Sequence, residues 1–311
     1  RARRDQRVFV EHLVEVAHPE KHDGVAMLTL RVEILPHRGG HSAHGRMVII
    51  AGLTEYNRSV RILAIETATR KGSWALVEDG QVVAQAAGED EQSHAERLPR
   101  VLVELLAARG LTFADVDAFA VATGPGSFTG LRIGIATAQG LAMATGARVI
   151  PVPTLDAIAE GVAAAPEARG LDYIAVWLDG QRREIFAALY ALRAHGEEGS
   201  QTCLPALLMP PQSAAPAFIA AEIADLIGDA RAGFAGDGAH RYKSDIDTLG
   251  LRDTRVFPVG PIAPDLGRLA DRRRDTAVLP HAVAPVYVRR PDAEVARDAR
   301  AAATTPAADP A

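Results

Sequence analysis

Residues 122–134 read "ATGPGSFTGLRIG" and hold four glycines and one proline; the apolar run "DAFAVA" at residues 117–122 leads into them. An apolar run that ends in a glycine-rich loop and continues with helical periodicity is typical of a strand–loop–helix unit. Further runs of the same kind alternate along the chain. The pattern therefore predicts an α/β protein, with a helix from about residue 127 to residue 145.

The glycine loop fits neither standard nucleotide-binding motif. A P-loop needs a lysine beside its second glycine, but the nearest lysines are Lys71 and Lys243. Gly124, Gly126 and Gly130 give G-x-G-x-x-x-G, one residue longer than the dinucleotide fingerprint. Two interpretations stay open: the glycines only permit a tight turn, or the start of the helix attracts an anion.

Two helical stripes suggest close packing. Gly130, Gly134 and Ala138 recur every four residues and leave one helix face almost without side chains. On the preceding helix, the stripe consists of three leucines: Leu98, Leu102 and Leu105. We predict that these two stripes together form a partner interface.

The chain divides into segments of different character. An Asp79-Gly80 pair between two apolar runs predicts a β-hairpin, and Asp179-Gly180 repeats the pattern, which indicates two similar lobes. The predicted divisions are an N-terminal extension at 1–50, a linker at 51–60, a first lobe at 61–165, a second lobe at 166–297 and a disordered tail at 298–311.

Composition excludes several classes of protein. The 311 residues carry a net charge of −5, so the surface as a whole is not the basic footprint of a nucleic-acid-binding protein. Cys203 is the single cysteine, which excludes an intramolecular disulfide. The histidines before residue 45 fit no metal-ligand spacing, so we predict no metal site. We find no apolar run long enough for a membrane span and expect a cytoplasmic protein that does not bind membranes.

Four segments together resemble the TsaB family, whose members take part in making threonylcarbamoyladenosine beside the tRNA anticodon. They are "ILAIETAT" (62–69), "SHAERLPRVLVELL" (93–106), "VATGPGSFTGLRIGIATAQGLA" (121–142) and "PVYVRRPDAE" (285–294). The resemblance covers about residues 61–297. It implies an actin-, Hsp70- and sugar-kinase-like fold with two duplicated lobes.

The resemblance also implies a partner rather than an enzyme. A TsaB-like subunit pairs with a catalytic paralogue, TsaD, and with an ATPase, TsaE, so ATP and metal are expected in those partners and no cofactor in this chain. The same helical surface could form a homodimer when the partner is absent, and tRNA is expected to bind only through the complex. A short likeness near residues 14–21 to the end of the TsaE family suggests a remnant of a fused domain at 1–50.

The residues that stand at the family's catalytic positions favour a loss of chemistry. TsaD carries a His-x-x-x-His pair, whereas His94 here is followed by Leu98. Where ATP-using members of the fold carry aspartate, this chain has Glu66. A vestigial anion or nucleotide loop would consist of Glu66, Thr67, Gly126, Ser127 and Thr129. The alternatives are an ATP-dependent small-molecule kinase of the same fold and a metallopeptidase-like protein.

Overall fold

The computed structural model describes residues 21–22, 25–31, 48–52, 59–88, 93–195 and 202–289. The chain divides into two compact units, Arg1–Arg58 and Ser59–Ala311. The predicted tail at 298–311 and most of the predicted N-terminal extension lie outside the described residues.

The first unit contains one antiparallel sheet. Its strands are β1 (Lys21–His22), β2 (Val25–Arg31) and β3 (Val48–Gly52), in the order β1-β2-β3. Ala51 and Gly52 pair with β2, so the predicted start of the linker at residue 51 lies two residues too early. The apolar run before Gly52 continues the strand to that residue.

The second unit contains two lobes. The first lobe opens with five strands and two helices in chain order: β4 (Arg61–Glu66), β5 (Ser73–Glu78), β6 (Gln81–Ala87), α1 (His94–Ala107), β7 (Ala118–Gly124), α2 (Phe128–Thr145) and β8 (Arg148–Pro153). Its sheet has the order β6-β5-β4-β7-β8.

Helix α3 (Thr154–Ala163) leads into the second lobe. The remaining elements are β9 (Tyr173–Asp179), β10 (Ile185–His195), β11 (Thr202–Ala214), α4 (Pro216–Ile227), β12 (Arg231–Ala235), α5 (Asp237–Arg241), α6 (Lys243–Asp247), β13 (Asp253–Phe257) and α7 (Ala263–Arg272). The second sheet has the order β11-β10-β9-β12-β13.

The two sheets have the same topology. In each, the first strand lies in the centre, the second and third follow on one side by antiparallel pairing, and the fourth and fifth follow on the other side by parallel pairing. The duplication confirms the predicted α/β fold with two similar lobes. Among the residues that the structure describes, none of the helices combines the length and apolar character needed to cross a membrane.

Helices α3 and α7 lie between the two sheets and pack on one face of the first sheet. On β4, Ile62 and Ala64 face a core shared with α3 and α7, whereas Leu63 and Ile65 face a second core. Although α7 lies in the range predicted for the second lobe, it packs on β4 and β5 of the first. The shared core joins the two lobes along α3 and α7.

The two Asp-Gly turns differ. Asp79 and Gly80 both have positive φ and close a two-residue hairpin between β5 and β6, as predicted. The second turn is longer than predicted, because β10 begins only at Ile185 after β9 ends at Asp179. The intervening residues include three consecutive residues with positive φ, Gln181, Arg182 and Arg183.

Candidate functional site

The glycine loop packs against the chain's own β4–β5 turn. Ser127 caps α2, because its Oγ accepts a hydrogen bond from the Gly130 N–H at 3.2 Å. The Ser127 N–H donates to the Ala68 carbonyl at 2.7 Å. A Cβ on Gly126 would lie 2.6 Å from the same carbonyl, so glycine is needed for this approach. Thr129 is exposed and takes no part in the cap.

Glu66 lies at the end of β4 and is 1% exposed. Its carboxylate accepts hydrogen bonds from the Thr69 N–H at 2.7 Å, the Thr69 hydroxyl at 2.9 Å and the Ser73 hydroxyl at 3.0 Å. Burial raises the pKa of Glu66, and these donors oppose that shift. The carboxylate is thus held by neighbours within its own lobe.

Ser73 connects Glu66 to the start of α7. Its Oγ accepts hydrogen bonds from the backbone N–H groups of Ile262 at 3.0 Å and Ala263 at 2.9 Å while its hydroxyl donates to Glu66. The first turn of α7 is therefore connected to the Glu66 carboxyl group through the Ser73 side chain.

The glycine stripe of α2 faces Thr67. The Thr67 hydroxyl donates to the Gly130 carbonyl at 2.8 Å, and a Cβ on Gly130 or Gly134 would overlap Thr67 atoms. Ala138 is 0% exposed and belongs to the core between α2 and the first sheet. These small residues let α2 approach its own sheet closely.

The leucine stripe of α1 faces the same core. Leu98 and Leu102 are 0% exposed and Leu105 is 7% exposed. The prediction that the two stripes form the partner interface is therefore wrong, because a partner cannot contact side chains that the first lobe already buries. The periodicity was an ordinary core signal.

The opposite faces of α1 and α2 are exposed and combine small and apolar residues with a few charged ones. Val103 is 53% exposed and Met143 is 74% exposed. A Cβ on Gly140 would have no neighbour within 4 Å. We name these exposed residues the outer face; it comprises Pro99, Arg100, Val103, Glu104 and Ala107 on α1, and Arg132, Ala136, Gly140, Met143 and Ala144 on α2.

The outer face was missed because α2 carries two small-residue stripes. Ala136, Gly140 and Ala144 recur every four residues, as Gly130, Gly134 and Ala138 do. The second stripe was the available signal for this face. Spacing alone does not say which stripe packs on the sheet.

His94, at the start of α1, has both ring nitrogens engaged. Nε2 lies 3.0 Å from the Thr69 carbonyl, and Nδ1 lies 3.1 Å from the Arg97 guanidinium, which can only donate. Nδ1 is therefore the acceptor and Nε2–H the donor, which describes a neutral ring. Burial, aided by the nearby Arg97 charge, lowers the pKa of His94. Within the described ranges, no three His, Cys, Asp or Glu side chains group to hold a metal ion.

Comparisons with known proteins place these features in a family. Residues 82–209 match the family model described as TsaD, tRNA N6-adenosine threonylcarbamoyltransferase. The chain is 36% identical over 153 residues to the tRNA threonylcarbamoyladenosine biosynthesis protein TsaB of Escherichia coli, covering 48% of this chain and 64% of that protein. The matched part thus spans less than two thirds of the Escherichia coli protein.

Two further similarities extend over more of the chain. An uncharacterized protein of Mycobacterium tuberculosis is 32% identical over 235 residues, which cover 75% of this chain and 93% of that protein. The structure of YeaZ from Pseudomonas aeruginosa superposes with a TM-score of 0.57 at 25% identity, covering 73% of this chain and 99% of that one. Together with the four sequence segments and the duplicated fold, these similarities lead to one conclusion: the chain belongs to the TsaB family.

Proposed function

We propose that this chain is a non-catalytic scaffold subunit of the machinery that makes N6-threonylcarbamoyladenosine in tRNA. It pairs with a TsaD-like catalytic subunit through the outer face, and a TsaE-like ATPase joins the pair. The names of the relatives support the pathway. The observation that carries the scaffold role is the outer face itself, an exposed surface on two adjacent helices where apolar and small residues lie beside Arg100, Glu104 and Arg132.

The chemistry of the outer face suits a helical partner. Gly140 and Ala136 let a neighbouring helix approach closely, while Val103 and Met143 offer apolar contact area. Two helices from each subunit would then form a four-helix interface. A second copy of the chain would use the same surface when the partner is absent.

The arrangement around Glu66 supports a role without catalysis in this subunit. A carboxylate that positions a metal and phosphates must face its ligand, whereas Glu66 is 1% exposed and is held by Thr69 and Ser73. His94 likewise gives both ring nitrogens to neighbours in its own chain. These contacts count against the kinase and the metallopeptidase alternatives.

The net charge of −5 supports an indirect contact with tRNA. Phosphate contacts dominate RNA affinity, and they require a basic surface. We therefore expect weak tRNA binding by the isolated chain and stronger binding by the assembled complex. A gel-shift titration of tRNA with and without the partner compares the two affinities.

The test is association with the TsaD-like protein of the same genome. Gly140→Arg places a long charged side chain on the outer face, at a position where a Cβ has no neighbour within 4 Å. We expect association to weaken about tenfold or more, which corresponds to about 1.4 kcal/mol. Ala221→Arg, an exposed position on α4, is the matched control and should bind normally.

Titration calorimetry on the purified proteins gives the affinities, and thermal unfolding checks that each variant is folded. Normal binding by Gly140→Arg would refute the outer face as the contact surface. If the wild-type chain does not bind the TsaD-like protein at all, the scaffold role itself is wrong.

A further inference from the structure

The chain after α7 returns along the first lobe. Val278 pairs with Val149 of β8 through two backbone hydrogen bonds of 2.8 and 3.0 Å. The side-chain amide of Gln139, on α2, then donates to the carbonyls of Pro280 and Val283, both at 3.0 Å. These contacts hold the chain against the first lobe up to Val283. We name the seven residues 283–289 the strap.

The strap passes over the carboxyl end of β7. The Val286 N–H donates to the Thr123 carbonyl at 2.7 Å. A Cβ on Gly124, which has a φ of +114°, would lie 2.6 Å from the Val286 carbonyl. The glycine that begins the loop therefore makes room for the strap as well as for the turn.

Tyr287 attaches the strap to the start of α2. Its hydroxyl accepts a hydrogen bond from Arg132 Nε at 3.0 Å, and its ring lies 5.1 Å from the ring of Phe128. The Arg132 guanidinium also lies 3.7 Å from the centre of the Phe128 ring. This cluster is the strap's last anchor on the first lobe.

Arg289 attaches the strap to the second lobe. Its guanidinium donates to the Gly180 carbonyl at 2.8 Å, pairs with the Glu184 carboxylate at 2.5 Å and lies 5.2 Å from the centre of the Phe186 ring. All three partners belong to the turn between β9 and β10 or to the first residues of β10. Only Val288 therefore separates the anchor on the first lobe, Tyr287, from the anchor on the second, Arg289.

The other connection between the lobes lies along α3 and α7. There the Asp156 carboxylate of α3 accepts from the Tyr190 hydroxyl of β10 at 2.8 Å and pairs with Arg273 at 2.9 Å. A rotation of one lobe about this shared core would have to move the carboxyl ends of β7 and β9 apart or together. The strap spans those two ends.

We propose that residues 283–289 act as a tie between the lobes, which holds them at one fixed angle and keeps the carboxyl ends of β7 and β9 at a fixed separation. Because ligands of open α/β sheets bind near such strand ends, the tie also lies where a ligand would approach. The contacts of the strap lie within one chain and do not depend on the proposed function.

The experiment measures the distance distribution between spin labels on the two lobes of the full chain. Cysteines at Ala144 on α2 and Ala221 on α4, both exposed, carry the labels, and Cys203→Ser removes the native thiol. Arg289→Ala releases the strap from the second lobe, and Tyr287→Ala removes its last contact with the first lobe, while the hydrogen bond from the Val286 N–H to the Thr123 carbonyl remains. Arg231→Ala is the control, because Arg231 pairs with Asp172 within the second lobe at 2.8 Å.

The tie predicts a narrow distribution in the wild-type chain and a broader one in each strap variant. Because Arg289→Ala already frees the strap from the second lobe, the double variant should be no broader than Arg289→Ala alone, and Arg231→Ala should match the wild type. Circular dichroism confirms that the lobes stay folded. Unchanged widths in folded Arg289→Ala and Tyr287→Ala, or widths that add in the double variant, would overturn the proposal.

Discussion

Gly134 and Gly140 lie six residues apart on α2. We expect substitution by alanine to have opposite effects on stability at these two positions. A Cβ on Gly134 would overlap the buried Thr67 hydroxyl, which already donates to the Gly130 carbonyl at 2.8 Å. A Cβ on Gly140 would meet nothing within 4 Å. Replacing each glycine by alanine therefore tests which side of α2 packs on the sheet.

The magnitudes follow from overpacking and from helix propensity. Overpacking by Gly134→Ala should lower the free energy of unfolding by about 1–3 kcal/mol. For a unit of this size each kcal/mol shifts the Tm by about 2–4 °C, so the Tm should decrease by about 2–12 °C. Alanine is favoured over glycine inside a helix by about 1 kcal/mol, so Gly140→Ala should raise the Tm by about 2–4 °C.

Differential scanning calorimetry of the isolated chain measures both values, and the wild-type protein is the reference. A Gly134→Ala variant as stable as the wild type, combined with lost binding to the TsaD-like partner, would refute the assignment of the inner and outer faces. A decrease in Tm for Gly140→Ala would show that residue 140 is packed rather than exposed.

Three smaller predictions use the network around the β4–β5 turn. Because burial raises the pKa of Glu66 above its usual 4.5, its contribution to stability is greatest at low pH and is lost as the pH rises, so the Tm of the wild type relative to Glu66→Gln should fall as the pH is raised above about 4.5. The depressed pKa of His94 has the opposite sign: stability present above about pH 6.5 is lost as the pH falls, and the Tm of the wild type relative to His94→Gln should decrease from about pH 7 to pH 5. Removing the helix cap by Ser127→Ala should cost about 1 kcal/mol in chemical unfolding, whereas the exposed Thr129→Ala should have little effect.

Local patterns predicted most of the architecture correctly. The Asp79-Gly80 hairpin and the helix after the glycine loop have unambiguous local signals, so their positions are close to those predicted. The turn after Asp179 was predicted too short, because the residues that extend it, Gln181 to Arg183, adopt positive φ without being glycine. A propensity rule does not anticipate that conformation.

The candidate site was harder to predict because it depends on which face of a helix is buried. Leu98 and Gly134 fit a close-packed stripe, and the packing partner turned out to be the chain's own sheet. The contact of Arg289 with Gly180 spans more than a hundred residues of sequence, and no local pattern connects the two. Long-range contacts of this kind need the folded arrangement.

The scaffold role is tested by transfer of a threonylcarbamoyl group to tRNA, followed by mass spectrometry of the modified adenosine. The reaction contains unmodified tRNA, ATP and an activated threonylcarbamoyl donor, and is run with the TsaD-like and TsaE-like proteins of the same genome, with and without this chain, and with this chain alone. We expect modification when all three proteins are present, little when this chain is omitted and none from this chain alone. Modified tRNA from this chain alone, or equal modification without it, would show that the chain is not a non-catalytic scaffold of this reaction.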